Sequence, residues 1–179
     1  MDRERYITPE DILPKRKAYK YINLSAQLER EFVSKINNFF PVSYGGGGGS
    51  MMHDIKEVEF RLLMSSLCDV ETARGIYLTY LNTFLELFNN NEKIRPYLAN
   101  YPLTLANVEI RLEFYDANQR LVSDGTHICC IFNNNKYIYY DTKKGYGIHN
   151  PLKNIHKETY EEARTKEFNH LKLALGDKS

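Results

Sequence analysis

Cys129 and Cys130 are the side chains of this 179-residue chain best suited to nucleophilic chemistry, and His127 stands two positions before the first of them. On an extended strand, positions 127 and 129 share a face, so an imidazole there can take the proton of a thiol and leave an attacking thiolate. Catalytic pairs generally come from different elements, however, and a cysteine within an apolar strand is ordinarily core. Cys129 and His127 are therefore candidates, and no catalytic residue is assigned.

A second group surrounds the five consecutive glycines and serine at 45–50. Backbone N–H groups of such a string can form an anion-binding nest. Gly47, Gly49 and Ser50, with His53, Asp54 and the guanidinium of Arg95, make a candidate ligand-binding set. Neither GK[ST] nor GxGxxG spacing opens a helix here, and the residues after the glycines read as a strand. Glycines also lose much backbone entropy when ordered, so a flexible turn or linker is the simpler reading, and engineered linkers share this composition.

Other chemistry finds less support. His53, His127, His149 and His156, with Asp54, Asp124 or Asp141, show no HExxH or CxxC spacing, so neither a metal nor a cofactor is expected. Glu109 and Glu113 fall on the outer face of a strand rather than forming a catalytic acid pair. Serine hydrolase, P-loop and kinase signatures are absent.

The bulk properties bound the remaining choices. A net charge of +1 supplies no strong field toward nucleic acid or an anionic membrane, which argues against a nucleic-acid partner. The basic cluster of Lys15, Arg16, Lys17 and Lys20 lies among acidic neighbours and reads as a solvated arm. Three cysteines, two of them adjacent, suit a reducing compartment better than a disulfide framework. The first residues lack the apolar run of a signal peptide, and no segment has the length of a membrane span. A cytoplasmic location is expected, or a secreted or periplasmic one if a targeting segment is removed.

These residues must be positioned by a central helix. Apolar side chains at Ala73, Ile76, Tyr77, Tyr80, Leu81, Phe84, Leu87 and Phe88 form one stripe of period 3.6. Asp69 can cap its start, and the asparagines at 89–91 end it. An earlier helix over 24–40 carries Leu24, Leu28, Phe32, Ile36 and Phe39, after which Val42 and Tyr44 suggest a short edge strand. A strand over 55–64 precedes the central helix. Residues 107–115 alternate apolar and charged, 126–132 read as a buried strand, the asparagines at 133–135 as a hairpin turn, and 136–141 as its partner. A loop over 143–151 leads to a final helix beginning near Lys157 or Glu158 and reaching Leu175. Short turns between strands imply antiparallel pairing. The expected class is α+β: a mostly antiparallel sheet of about four strands, with the long central helix and N- and C-terminal helices packed on one face. Residues 1–21 form a polar arm, 22–175 a single domain and 176–179 a tail.

His53 to Val58, Val70 to Arg74, the string NEKIRPYL at 91–98, Tyr101-Pro102 and the string ETYEEA at 158–163 together resemble an uncharacterised family of small bacterial proteins, found mainly in intracellular bacteria. The similar region spans about 29–163, and NEKIRPYL is its most specific part. The resemblance implies a glycine-rich turn before a methionine-containing strand entry and, often, a secretory or lipoprotein start that this chain lacks. It brings no activity and no site. Arg95, fixed by Pro96, reads as a structural latch, with Tyr97 and Tyr101 closing the end of the core. The expected function is a non-catalytic protein-interaction or scaffold domain that binds another protein or itself. The alternative is a small ligand-binding or hydrolase-like domain using the glycine-rich turn with His53, Asp54 and Arg95, or a Cys129/His127 thiol centre.

Overall fold

Asp69 begins the central helix as its side chain allows: Oδ1 accepts the Thr72 N–H at 2.8 Å. The helix runs over Val70–Asn90, and Asn91 closes it by accepting the Lys93 and Ile94 N–H groups at 3.0 Å each. Among the described residues it is the second of three helices. The computed structural model describes residues 9–51, 54–147 and 149–175, with side chains at 21–51, 54–147 and 149–171. In order, the elements are α1 (Pro9–Ile36), β1 (Ser43–Ser50), β2 (Glu57–Ser65), α2 (Val70–Asn90), β3 (Val108–Tyr115), β4 (Cys130–Asn134), β5 (Tyr137–Thr142), β6 (Lys153–Thr159) and α3 (Tyr160–Leu175).

The predicted stripe of α2 is its buried face, with Phe84 and Phe88 at 0% exposure. Phe84 lies 4.7 Å from Phe60 of β2 and 5.3 Å from Phe32 of α1, ring centre to ring centre, and 4.3 Å from Phe88. This aromatic cluster joins two helices to the sheet, in the offset and edge-on geometries that aromatic quadrupoles favour.

The sheet has six strands in the order β1-β2-β3-β4-β5-β6 and is mixed, which corrects the expected mostly antiparallel sheet of about four. β2 and β3 are parallel because α2 returns the chain across the sheet between them; the other neighbours, joined without a crossover helix, are antiparallel. Two strands differ from the sequence reading. Residues 45–50, expected as a turn or linker, belong to β1 and pair with β2 from Gly46↔Arg61 to Ser50↔Glu57. Residues 153–159 form β6, so the last helix starts at Tyr160 rather than near Lys157. α1 also begins at Pro9, reaching into the stretch expected as an arm, and ends at Ile36, ahead of the expected 40. β4 opens at Cys130, and Asn133 and Asn134 are strand residues rather than a turn.

All three helices cover one side of the sheet. Phe60 on that side meets α1 and α2, Asn133 meets Tyr77 of α2, and Glu158 meets Arg74 of α2 and Lys166 of α3. Asn133 is 1% exposed and fully used. Its Oδ1 accepts the Tyr77 hydroxyl at 2.6 Å and the Ile110 N–H at 3.0 Å, while Nδ2 donates to the Val108 and Leu105 carbonyls. Glu158, 2% exposed, accepts from Arg74 Nε and Lys166 Nζ at 2.7 Å and from the Tyr140 hydroxyl at 2.6 Å. Burial opposes its charge, but bonds from Arg74, Lys166, Tyr140 and His156 outweigh that and hold its carboxyl at about 2, below the ordinary 4.5.

Asn133→Ala leaves the buried Ile110 N–H without its acceptor, while the Tyr77 hydroxyl keeps the Ile110 carbonyl at 2.8 Å, so urea unfolding should show a loss of roughly 1–3 kcal/mol. For Glu158, the folded-state pKa lies below the unfolded one. Its stabilisation is complete above about 4.5 and is lost as pH falls toward about 2. The stability difference between the parent and Glu158→Gln, read from denaturation midpoints, should shrink across that window and stay constant above it.

Candidate interaction surface

The face of the sheet turned away from the helices carries one row of side chains across five strands. Arg61, Arg111, Phe132, Tyr139 and Lys157 are successive cross-strand partners from β2 to β6. At the usual strand spacing the row is about 19 Å wide. Phe132 and Tyr139 stack with ring centres 5.2 Å apart and planes within 10°. The Arg111 guanidinium lies 5.4 Å from the Phe132 ring centre, and Lys157 Nζ lies 3.9 Å from Tyr137 and 5.1 Å from Tyr139. Phe132, Tyr137 and Tyr139 are half-buried by one another, while Arg61 and Lys157 are exposed. Cations over ring faces hold this row rigid without removing it from solvent.

A second row fixes the first from beside it. Glu113, 8% exposed, accepts from Arg61 at 2.7 Å, the Tyr115 hydroxyl at 3.0 Å and Arg111 Nε at 3.1 Å. Burial opposes its charge, yet these bonds lower its pKa below the ordinary carboxylate value. On the other flank stand Glu57, Glu59 and Glu109, beside a notch of about 130 Å³ lined also by Asn107 and Asn135. Burial and then repulsion from Glu59 and Glu57 raise the Glu109 pKa. The surface is thus an aromatic and cationic band with an acidic border.

The structure places the other candidate residues apart from this band. Cys129 is 0% exposed and its Sγ donates to the Asp141 carbonyl at 3.3 Å. Burial first, then the charge of Asp141, pushes its thiol up to about 11; burial takes Cys130 up to about 12. Both are protonated near neutrality. His127 precedes β4, with Nδ1 2.6 Å from Asp124 Oδ2, in a turn where Asp124 Oδ1 also accepts the Thr126 and His127 N–H groups. These contacts hold the Asp124 carboxyl well below the usual range against burial.

The ligand-binding candidates occupy the far side of β2. Gly47, Gly49 and Ser50 are in β1, Asp54 is exposed, and His53 lies outside the described residues. The Arg95 guanidinium sits 4.8 Å over the Tyr101 ring. The backbone ties this region together: Lys56 N–H donates to the Ser50 carbonyl, Ile55 N–H to Tyr97, and Ala99 N–H to Ile55. Among the described residues, no three His, Cys, Asp or Glu side chains are grouped to hold a metal ion, and no helix is long and apolar enough to cross a membrane.

The aromatic band is missed by reading each strand singly, because Phe132 and Tyr139 meet only across the hairpin. The signal was the register: a tight turn at 135–136, where Asn135 takes φ 51°, sets Phe132 opposite Tyr139. Cys68, Cys129 and Cys130 are all free and buried. Ellman's reagent should therefore modify them at least tenfold faster in denaturant than in the native protein; a thiol reacting equally fast in both would place it at the surface. No protein-family model, curated protein or solved structure matches the chain.

Proposed function

We propose that this protein is a non-catalytic interaction module that docks a protein partner on the uncovered face of its sheet. The supporting observation is the ordered row from Arg61 to Lys157, with Phe132 and Tyr139 stacked at its centre. Arginine and large aromatic side chains give protein interfaces much of their energy, the aromatics because they bury large surfaces at little conformational cost. The border of Glu57, Glu59 and Glu109 repels a polyanion, which favours a protein over a nucleic acid. Three free, buried thiols suit a reducing compartment, which supports a cytoplasmic reading. The resemblance of the NEKIRPYL string to a small bacterial family belongs to the same reading.

A photo-crosslinking phenylalanine analogue at Tyr139 tests the proposal in the native host, with Glu86 on the outside of α2 as control. The Tyr139 probe should give a discrete protein adduct that Lys157→Glu abolishes, and the Glu86 probe none. Equal labelling from both positions, or none from Tyr139, would remove the sheet face from consideration. Against the captured partner, Tyr139→Ala should weaken binding about tenfold or more.

A further inference from the structure

The two edges of the sheet are unlike. Both edge strands have one register irregularity, β1 between Tyr44 and Gly46 and β6 opposite Tyr140 and Asp141, but β6 also carries Lys153 and Lys157, charges that discourage another strand from pairing there. β1 carries no charge between Ser43 and Ser50 and is exposed along most of its length. Among the described residues its one ladder faces β2, which leaves the backbone donors and acceptors of its other side without a strand partner. The glycines place no side chain in the path of an approaching backbone.

Beyond that edge, the outer flank of α1 at Ala26, Arg30 and Val33 has no strand beneath it among the described residues. A cavity of about 280 Å³ is lined by Ala26, Glu29, Arg30 and Val33 of α1 and by Tyr44 of β1. No side chain of β2 lines it, so it lies on the outer flank of β1. Glu29 is already engaged, accepting from the Tyr44 hydroxyl at 3.0 Å and from Ser25 at 3.2 Å. Ala26 and Val33 remain half-buried, one stripe over from the core residues Leu28, Phe32 and Ile36. Where a seventh strand would lie, there are open hydrogen-bonding groups and an apolar hollow above them.

We propose that the outer edge of β1 is a strand-addition site for an extended segment of another protein, whose large apolar side chain enters the hollow beneath α1. Main-chain pairing supplies the docking, and the hollow supplies selectivity for phenylalanine or leucine at one alternate position. A second copy of this chain is a poorer occupant. Antiparallel β1 strands would pair their backbones, but the incoming strand would offer mainly glycine to the hollow and leave it unfilled. The surface is separate from the aromatic band, so this inference stands or falls independently of the sheet-face reading.

The test uses the full chain and three synthetic decapeptides of alternating threonine: one with a central phenylalanine, one with central glycine, and one with prolines that block main-chain pairing. The phenylalanine peptide should slow amide exchange at the β1 glycines about tenfold or more. It should also bind at least tenfold tighter than its glycine twin, in keeping with burial of one aromatic side chain, and the proline peptide should do neither. Ala26→Trp, which fills the hollow, should erase the preference for phenylalanine; Val33→Asp should do the same by making the hollow polar. Retained exchange protection in α2 and β3 reports that each variant folds. Three results would overturn the proposal: no β1 protection at millimolar peptide, equal binding of the phenylalanine and glycine peptides, or a peptide-free dimer in sedimentation with β1 amides already protected.

Discussion

The side chain of Asn133 sets the geometry on which both faces of the sheet depend. The β3–β4 ladder ends at Arg111↔Phe132, and beyond it the Asn133 amide substitutes for the missing strand pairing by bonding to the backbone at Val108 and Ile110. Its oxygen simultaneously takes the Tyr77 hydroxyl, so the strand that peels away is tied to the helix above. Every polar atom of a buried amide must be satisfied, and this one is satisfied only if β3, β4 and α2 hold a single relative position. That position puts Phe132 beside Arg111 on the open side and leaves the notch at 133–135.

The two sides of the sheet handle charge differently. Beneath the helices, the carboxylate of Glu158 is almost unexposed and is turned to Arg74, Lys166 and Tyr140. On the open side Glu113 gathers Arg61 and Arg111, but both guanidiniums keep contact with water. The buried cluster fixes where α3 sits. The open cluster instead presents two oriented cations whose long side chains have already lost their rotamer freedom, which lowers the entropic cost of a later contact.

How much of this was visible in the sequence depends on where each residue's information resides. The α2 stripe and its Asp69 cap are local patterns, and the helix follows them to within a residue. The alternation of Val108, Ile110, Leu112 and Phe114 fixed β3 in the same way. The strand count failed at both edges for opposite reasons. Only a short edge strand at Val42 and Tyr44 was expected where β1 lies, because the glycines that follow offer no side chains in which a period of two can register. β6 reads as polar apart from an exposed Ile155, because its deepest residue, Glu158, is buried through ion pairs rather than through hydrophobicity. The parallel β2–β3 pair was missed because the antiparallel argument rested on tight turns, and the link between these strands is α2. Asn133 was read as a turn residue by its type, whereas its role comes from partners 23 to 56 positions away. His127 likewise reads as a neighbour of Cys129 along the chain, yet its ring is fixed by Asp124.

The strand order runs from one edge of the sheet to the other without doubling back. A nascent chain leaving the ribosome can therefore lay down each strand against one already made, with no exposed segment waiting for a distant mate. The exception is Arg74, synthesised 84 positions before the carboxylate that neutralises it. Until β6 and α3 arrive, that guanidinium is a cation without its carboxylate on the part of the chain already made, which opposes premature association with apolar surfaces during synthesis.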